Sequence, residues 1–153
     1  MSEFTIREAT PADIDILVHH RLGMYLAMGV DPAEVAKLDR PSREYFSRSV
    51  GEGDYRGWFV QTAAGRVVSG GGIVISAWPS NPRDPYPRRI MILNMFTEPE
   101  FRRRGLARRL METMIAWSRE QGYKTVALHA SDEGRPLYES LGFKPTNEMR
   151  LTL

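Results

Sequence analysis

The sequence predicts a mixed α/β fold in which a mostly antiparallel central sheet carries helices on both faces. Apolar runs with strand and helix periods follow one another in the order strand, helices, three strands, helix, strand, helix, strand. Two of the middle strands are separated by a turn at residues 64–65, which is the pattern of an antiparallel hairpin. The length of 153 residues and a hydrophobic share of 42% predict a single domain over residues 1–153.

The first elements are a strand and several helices. Residues 4–7 alternate between apolar and polar side chains and predict a strand. Thr10 is a typical N-cap residue, and apolar residues then recur at helical spacing, so a helix is expected to end near Gly29. Further helix starts are predicted at Asp31 and near Pro41.

The middle of the chain predicts three strands. Residues 58–61 and 67–76 form the predicted hairpin, and residues 90–96 form the third strand. Glycines at 70–72 weaken the second strand and suggest a bulge or the close approach of a ligand. A proline-rich connection at residues 78–89 separates this hairpin from the third strand.

The last third predicts two helices and two strands. A helix is expected from Arg104 to about Gln121, with a strand at residues 125–130 after it. A short helix should then end at Gly142, where a left-handed C-cap residue belongs. Residues 144–153 are expected to form a closing strand.

Composition excludes several classes of function. The chain has no cysteine, which removes disulfides, thiolate metal ligands and a catalytic thiol. No apolar run approaches the length of a membrane span, so we expect a cytoplasmic protein without a membrane partner. The net charge of +2 does not demand a nucleic acid partner. His19 and His20 lack partners at metal-ligand spacing, so no metal is expected.

An arginine-rich turn joins the strand predicted at residues 90–96 to the long helix. Five arginines fall between residues 102 and 109, at the predicted N-terminus of that helix. A helix N-terminus has unpaired N–H groups and partial positive charge, so arginines are unfavourable there unless an anion compensates them. Gly105 and Ala107 would let a ligand approach the backbone. The turn therefore predicts a phosphate or pyrophosphate site.

Arg102, Gly105 and Ala107 resemble the Arg/Gln-x-x-Gly-x-Gly/Ala segment of the GCN5-related N-acetyltransferases. In that family the segment holds the pyrophosphate of acetyl-coenzyme A, and the preceding strand pairs with the pantetheine arm. The resemblance therefore implies acetyl-CoA as co-substrate and a coenzyme site formed by Met95, Phe96, Thr97, Arg102, Arg103, Arg104, Gly105, Leu106, Ala107 and Arg108.

Residues 131–143 resemble the final motif of the same family, in which a short helix carries Leu-Tyr and ends in Leu-Gly-Phe. Tyr138 matches the tyrosine that protonates the coenzyme A thiolate, so the resemblance implies that it is a general acid. Ser131 stands where many relatives carry Asn, and it could bind the pantetheine arm or cap the helix. Arg135 could reach a coenzyme phosphate or simply be exposed.

The resemblance implies direct transfer of an acetyl group to a primary amine of a small molecule or peptide, within a ternary complex. The acceptor surface is expected at the first helices and the loop at residues 78–89, with candidate contacts from Tyr25, Trp78, Tyr86 and Glu98. Asp84 is a second candidate for meeting a cationic amine. The general base stays open between Glu98, His129 and a water-mediated base. A homodimer, a coenzyme-binding sensor without turnover and a nucleic-acid binder that uses the arginines stay open as alternatives.

Overall fold

The computed structural model describes residues 3–153, which form one five-stranded sheet with helices on both faces. The strands follow the spatial order β1 (Phe4–Glu8), β2 (Tyr55–Thr62), β3 (Val67–Ala77), β4 (Arg88–Thr97) and β5 (Ala127–Leu128). Neighbouring strands are antiparallel except β4 and β5, which are parallel. The predicted mixed, mostly antiparallel α/β class is confirmed.

Five α-helices connect and cover the strands: α1 (Ile14–Ala27), α2 (Pro32–Ala36), α3 (Asp39–Glu52), α4 (Leu106–Glu120) and α5 (Arg135–Ser140). Two 3-10 turns precede α1 and α4, at Pro11–Asp13 and Pro99–Phe101. The Thr10 hydroxyl accepts a hydrogen bond from the Ala12 N–H at 3.3 Å, so the predicted cap at the start of the first helical region is confirmed.

Each face of the sheet has its own hydrophobic cluster. Helices α1 and α3 cover one face, where Leu17 and Phe46 pack against Tyr55 and Phe59 of β2. Helix α4 covers the other face with a stripe at helical spacing, formed by Leu106, Leu110, Met111 and Met114. The residues of α5 pack against the edge of this second cluster. This arrangement places the N-terminus of α4 directly after the end of β4.

A β-bulge interrupts β4 close to its end. Gly70 pairs with Phe96 and Gly72 pairs with Leu93, so the single residue Gly71 faces two residues, Asn94 and Met95. Asn94 has a φ of 60°, in the left-handed region that Asn tolerates better than most residues. The predicted irregularity at residues 70–72 is confirmed, and the extra residue lies in the partner strand.

The three glycines opposite the bulge provide space for side chains of the protein itself. A Cβ at Gly70 would overlap the ring of His20 from α1, and one at Gly71 would overlap the sulfur of Met95. At Gly72 the obstacle would be the Tyr55 hydroxyl. The close approach that the glycines suggested is therefore made by helix and strand side chains, which any larger residue in β3 would displace.

Of the two strands predicted in the C-terminal region, one is shorter than expected and the other is wrong. The strand expected at residues 125–130 has only two residues, Ala127 and Leu128. The closing strand expected at residues 144–153 is absent from the described structure. Side-chain ion pairs hold this segment, since Glu148 bonds Arg89 at 3.0 Å and lies 3.5 Å from His129. An alternating pattern forms a strand only where it meets a free edge in register, and here it does not.

Candidate active site

The edge of β4 that faces β5 is unpaired over its second half. The parallel ladder joins Met91 to Ala127 and Ile92 to Leu128 and then stops. Within residues 3–153, no strand pairs with this edge from Leu93 to Thr97. Its backbone N–H and C=O groups are hydrogen-bonding groups that an extended ligand can use. The bulge at Asn94 lies within this open stretch.

The side chains of the three predicted pantetheine-binding residues contact other residues of the protein. Met95 packs toward α4, and Phe96 lies beneath α1 with its ring against Gly23. The Thr97 hydroxyl is 2.7 Å from the Ser69 hydroxyl. These contacts fix the strand, whose backbone along the open edge is available for a ligand.

The chain turns sharply between β4 and α4. The Arg102 Nε donates to the Thr97 carbonyl at 3.1 Å, which closes the turn. Arg103 and Gly105 have φ values of 62° and 75°, so the backbone reverses twice before α4 begins. A Cβ at Gly105 would meet no atom within 4 Å, which shows open space beside the helix start. We call residues 102–108 the arginine loop.

The arginine loop ends in a helix start suited to an anion. The first intrahelical bond runs from the Arg109 N–H to the Gly105 carbonyl, so the N–H groups of residues 106–108 have no helical partner. The first turn of α4 contains no acidic residue. Partial positive charge at this end of a 15-residue helix therefore stands uncompensated by an adjacent carboxylate.

Four arginines of the arginine loop add formal charge in different ways. Arg102 and Arg103 are exposed, and no carboxylate among residues 3–153 lies within 4.0 Å of either. Arg104 lies 3.4 Å from Glu3, and Arg108 lies 3.9 Å from Glu112. Arg108 also donates to the Ser140 hydroxyl at 2.6 Å, which connects the loop to α5. Leu106 is only 2% exposed, so it can offer a ligand its N–H group but not its side chain.

Tyr138 lies on α5 in a half-buried position. Its ring packs edge-to-face against Phe143 at 6.2 Å, and Gly134 lies so close that a Cβ there would overlap the ring. Burial raises the pKa of the Tyr138 hydroxyl. Tyr138 lines a cavity of about 510 Å³, and its hydroxyl has no hydrogen-bond partner among residues 3–153. The group is thus protonated at neutral pH and free to donate.

Ser131 and Arg135 occupy the start of α5. The Ser131 hydroxyl accepts a hydrogen bond from the Gly134 N–H at 3.1 Å, so it caps the turn that leads into the helix. Arg135 is exposed and lies 3.5 Å from Glu139 one turn later. The N-cap residue of α5 is Gly134, so Ser131 stabilises the preceding turn and does not itself cap the helix, while its binding to pantetheine stays a prediction.

The structure separates the four predicted acceptor residues into two groups. Tyr25 lies on α1, and Glu98 follows β4 directly and pairs with His19 of α1. Trp78 follows β3 and stacks with Arg89 at the start of β4, at the end of the strand away from the arginine loop. Tyr86 stacks on Tyr123 beyond the C-terminus of α4. A 15-residue helix is about 22 Å long, so Trp78 and Tyr86 are not brought to the loop.

Asp84 is also excluded from binding an amine. Its buried carboxylate accepts hydrogen bonds from the backbone N–H groups of Tyr86, Lys124 and Thr125. Burial alone would raise the pKa of Asp84, but these bonds hold it below its ordinary value. The carboxylate therefore fastens the proline-rich connection to the segment before β5.

Three residues that the sequence reasoning did not assign lie beside the predicted site. His19 bonds Glu98, Arg21 bonds Tyr25, and Asn94 forms the bulge. Arg21 could have been found, because Leu17, Arg21 and Tyr25 recur every four residues and share one face of α1. Nothing in the local sequence marks Asn94, because a bulge depends on the partner strand.

The mostly antiparallel sheet, with a free edge of β4 followed by the arginine loop and α4, is the fold of the GCN5-related acetyltransferases. The model of the acetyltransferase (GNAT) domain matches residues 54–145. The chain therefore belongs to the GCN5-related N-acetyltransferase family.

Solved structures agree with this assignment. The chain is similar to a GCN5-related N-acetyltransferase from Ralstonia eutropha JMP134, with a TM-score of 0.92 and 30% identity over 98% of both chains. It is also similar to a predicted acetyltransferase with acetyl-CoA from Clostridium acetobutylicum, with a TM-score of 0.89 and 25% identity, covering 98% of this chain and 96% of that one.

A curated relative matches a shorter stretch. Human N-acetyltransferase 8 is 31% identical over 78 residues, which are 49% of this chain and 34% of that protein. The chain thus matches about a third of the length of its human relative.

Residues 3–153 lack two further features. No helix there combines the length and the apolar composition that crossing a lipid bilayer requires. No group of three or more His, Asp or Glu side chains there is arranged to hold a metal ion.

Proposed function

We propose that this chain transfers the acetyl group of acetyl-coenzyme A directly to a primary amine of a small molecule or peptide. One observation carries the proposal: the unpaired edge of β4 leads directly into the arginine loop and the N-terminus of α4. A ligand with an extended, amide-containing arm and a pyrophosphate fits this combination, since the arm needs backbone partners and the pyrophosphate needs N–H groups and positive charge.

The coenzyme would be held mainly by backbone groups. The open edge from Met95 to Thr97 would bond the pantetheine arm, while the N–H groups of residues 106–108 would bond the pyrophosphate. Arg102 and Arg103 would supply charge, because neither is engaged with a carboxylate among residues 3–153. The space beside Gly105 supports this fit.

Bound acetyl-coenzyme A supplies an activated thioester, whose carbon–sulfur bond is exchanged for a carbon–nitrogen bond. A backbone N–H at the bulge, near Met95, would stabilise the negative charge that develops on the carbonyl oxygen. The fixed side chains of Met95 and Phe96 keep that N–H in place before the substrate binds. Holding the amine and the thioester in one orientation supplies much of the remaining acceleration.

Tyr138 would donate the proton that the departing thiolate requires. Its raised pKa keeps the proton on the hydroxyl at neutral pH, and its packing against Gly134 and Phe143 fixes its direction. The link between Arg108 and Ser140 supports this role, because it couples the helix of Tyr138 to the arginine loop.

Transfer would occur directly from the thioester to the amine within a ternary complex, and the proton lost by the amine would pass to Glu98, to His129 or to water, the three bases that the sequence leaves open. The chain has no cysteine, so the most reactive acyl-accepting side chain is absent. The test uses acetyl-coenzyme A and a panel of primary amines, with released thiol and acetylated product as readouts. We expect thiol release only when an amine is present, and no stable mass gain of one acetyl group without it. Thiol release at the same rate without any amine would contradict the proposal.

A further inference from the structure

Arg21 differs from the other half-buried arginines of the described structure. Five arginines among residues 3–153 are half-buried. Three of them bond carboxylates at 2.7–3.0 Å, and Arg109 donates to the backbone carbonyl of Phe4. Neither Arg21 nor Arg109 has a carboxylate within 4.0 Å among the described residues, and Arg21, unlike Arg109, donates to no backbone carbonyl among them. A half-buried charge without a counter-charge is unusual, because burial penalises an unpaired ion.

The protein contacts of Arg21 come from a tyrosine. Its Nη2 donates to the Tyr25 hydroxyl at 3.2 Å, and its guanidinium lies 5.2 Å from the centre of the Tyr25 ring. A guanidinium carries five N–H donors in a planar fork. Only one of these donors has a partner within residues 3–153. The fork is therefore held in place by the ring but left free to bind an acceptor.

Arg21 is positioned over the same part of the sheet as the acyl site. Leu17 lies one turn before it on α1, and the Leu17 carbonyl accepts a hydrogen bond from Asn94 Nδ2 at 3.4 Å. Asn94 is the bulge residue of β4. Burial raises the pKa of the Tyr55 hydroxyl, while Asn94 and, to a smaller extent, the charge of Arg21 lower it. Arg21 thus lies one turn along α1 from the point where this helix contacts the bulge.

We propose that Arg21 binds a carboxylate of the acceptor, so that the acetylated amines are amino acids or peptides with a nearby carboxylate. The inference rests on the proposed acetyl transfer and names its substrate class. A single planar guanidinium matches one carboxylate through two parallel hydrogen bonds. Tyr25 adds an aromatic wall beside that pair. Binding the carboxylate would supply the counter-charge that Arg21 lacks within the chain.

The test compares matched acceptors. L-Amino acids are assayed beside their carboxamides, and O-phosphoethanolamine represents a phosphate-bearing amine. We expect kcat/KM for an acid to exceed that for its amide by roughly 10- to 100-fold, as charge-assisted bonds imply. Equal use of acids and amides would overturn the proposal. Preferential use of the phosphate-bearing amine would also overturn it, in favour of a phosphate acceptor.

Two variants separate recognition from structure. Arg21→Gln should raise KM for acids by roughly 10- to 100-fold while changing kcat/KM for amides and KM for acetyl-coenzyme A less than about twofold. Arg21→Lys should recover part of the loss, because it restores charge without the planar fork. The control is Arg119→Gln, an equal change of charge at an exposed position near the C-terminus of α4. An equal loss for acids and amides in Arg21→Gln would overturn the proposal.

A binding measurement keeps this inference distinct from the proposed transfer. N-Acetyl amino acids and their amides are titrated calorimetrically into protein saturated with coenzyme A. Binding of the acids that disappears in Arg21→Gln supports the carboxylate site even if no amine supports thiol release, in which case only the transfer proposal fails. Acids and amides that bind with equal affinity, or a lack of binding by both, would overturn the inference about Arg21.

Discussion

The Nε2 atom of His19 lies 2.6 Å from Oε1 of Glu98, and this pair joins α1 to the turn that enters the arginine loop. The His19 side chain is 59% exposed and that of Glu98 17% exposed. Because α1 also carries Arg21 and Tyr25, the pair connects the proposed acceptor side to the proposed coenzyme side. Such a connection can position both substrates without a large contribution to stability, because one of its two partners is largely exposed to solvent.

Glu98→Gln should affect turnover more than stability. The variant retains an oxygen that can bond His19 but removes the charge that an ammonium group or a leaving proton requires. We expect the free energy of unfolding to change by at most about 1 kcal/mol and kcat/KM for the amine to fall at least about tenfold. Chemical denaturation and steady-state kinetics measure the two effects. His19→Gln is the matched control, and a Glu98→Gln enzyme with unchanged kcat/KM would show that Glu98 only orients the turn.

Gly105 offers a way to separate backbone conformation from ligand access. Its φ of 75° strains a β-branched residue, so Gly105→Val should lose roughly 1–2 kcal/mol of stability and bind coenzyme weakly. Asn tolerates this conformation, so Gly105→Asn should stay folded. Its side chain would still enter the open space beside the helix start, and we expect affinity for coenzyme A to fall by about tenfold or more.

Calorimetry with folded Gly105→Asn decides between the two roles of the glycine. Wild-type affinity in this variant would mean that Gly105 provides only the left-handed conformation.

Tyr138→Phe removes the proposed proton donor and keeps the ring packed against Gly134 and Phe143. Turnover should fall by roughly 10²–10⁴-fold, the usual contribution of a general acid. The melting temperature and coenzyme affinity should change little, because the hydroxyl has no partner among residues 3–153. Full turnover per folded molecule would instead make Tyr138 a packing residue.

His20 should make stability depend on pH below neutrality. Burial, with a smaller contribution from the charge of His19, lowers its pKa to about 3. In the unfolded chain the pKa of histidine is about 6.5. Below about pH 6.5 the unfolded state therefore binds a proton that the folded state does not bind, which favours unfolding. This single group should remove about 2 kcal/mol of stability between pH 7 and pH 5, and the loss should continue toward pH 3.

The comparison for His20 uses the slope of unfolding free energy against pH. His20→Phe keeps an aromatic ring beside Phe59 and Phe96 and should flatten the slope, as should the neutral variant His20→Gln. His129→Gln, at an exposed histidine, should retain the wild-type slope. Parallel curves for the wild type and both His20 variants would contradict the prediction.

The sequence by itself determined the features that depend on residues close together in the chain. The stripe of Leu106, Leu110 and Met114 fixed the buried face of α4, because a helix repeats every 3.6 residues. Gly105 and Gly142 marked the turns at two helix ends, and both adopt positive φ. The order of elements as far as α5 and the arginine loop followed from such short patterns, and so did the family.

Only the tertiary structure decided which distant residues meet. Trp78 and Tyr86 looked equivalent to Tyr25 as aromatic residues near predicted loops, but sheet order carries them to the end of β4 away from the arginine loop. Residues 144–153 have a strand pattern without a matching edge. The inference about Arg21 depends on the absence of a carboxylate within 4.0 Å of it among residues 3–153. Periodicity acts over a few residues, whereas register, bulges and charge pairing depend on contacts between segments far apart in the chain.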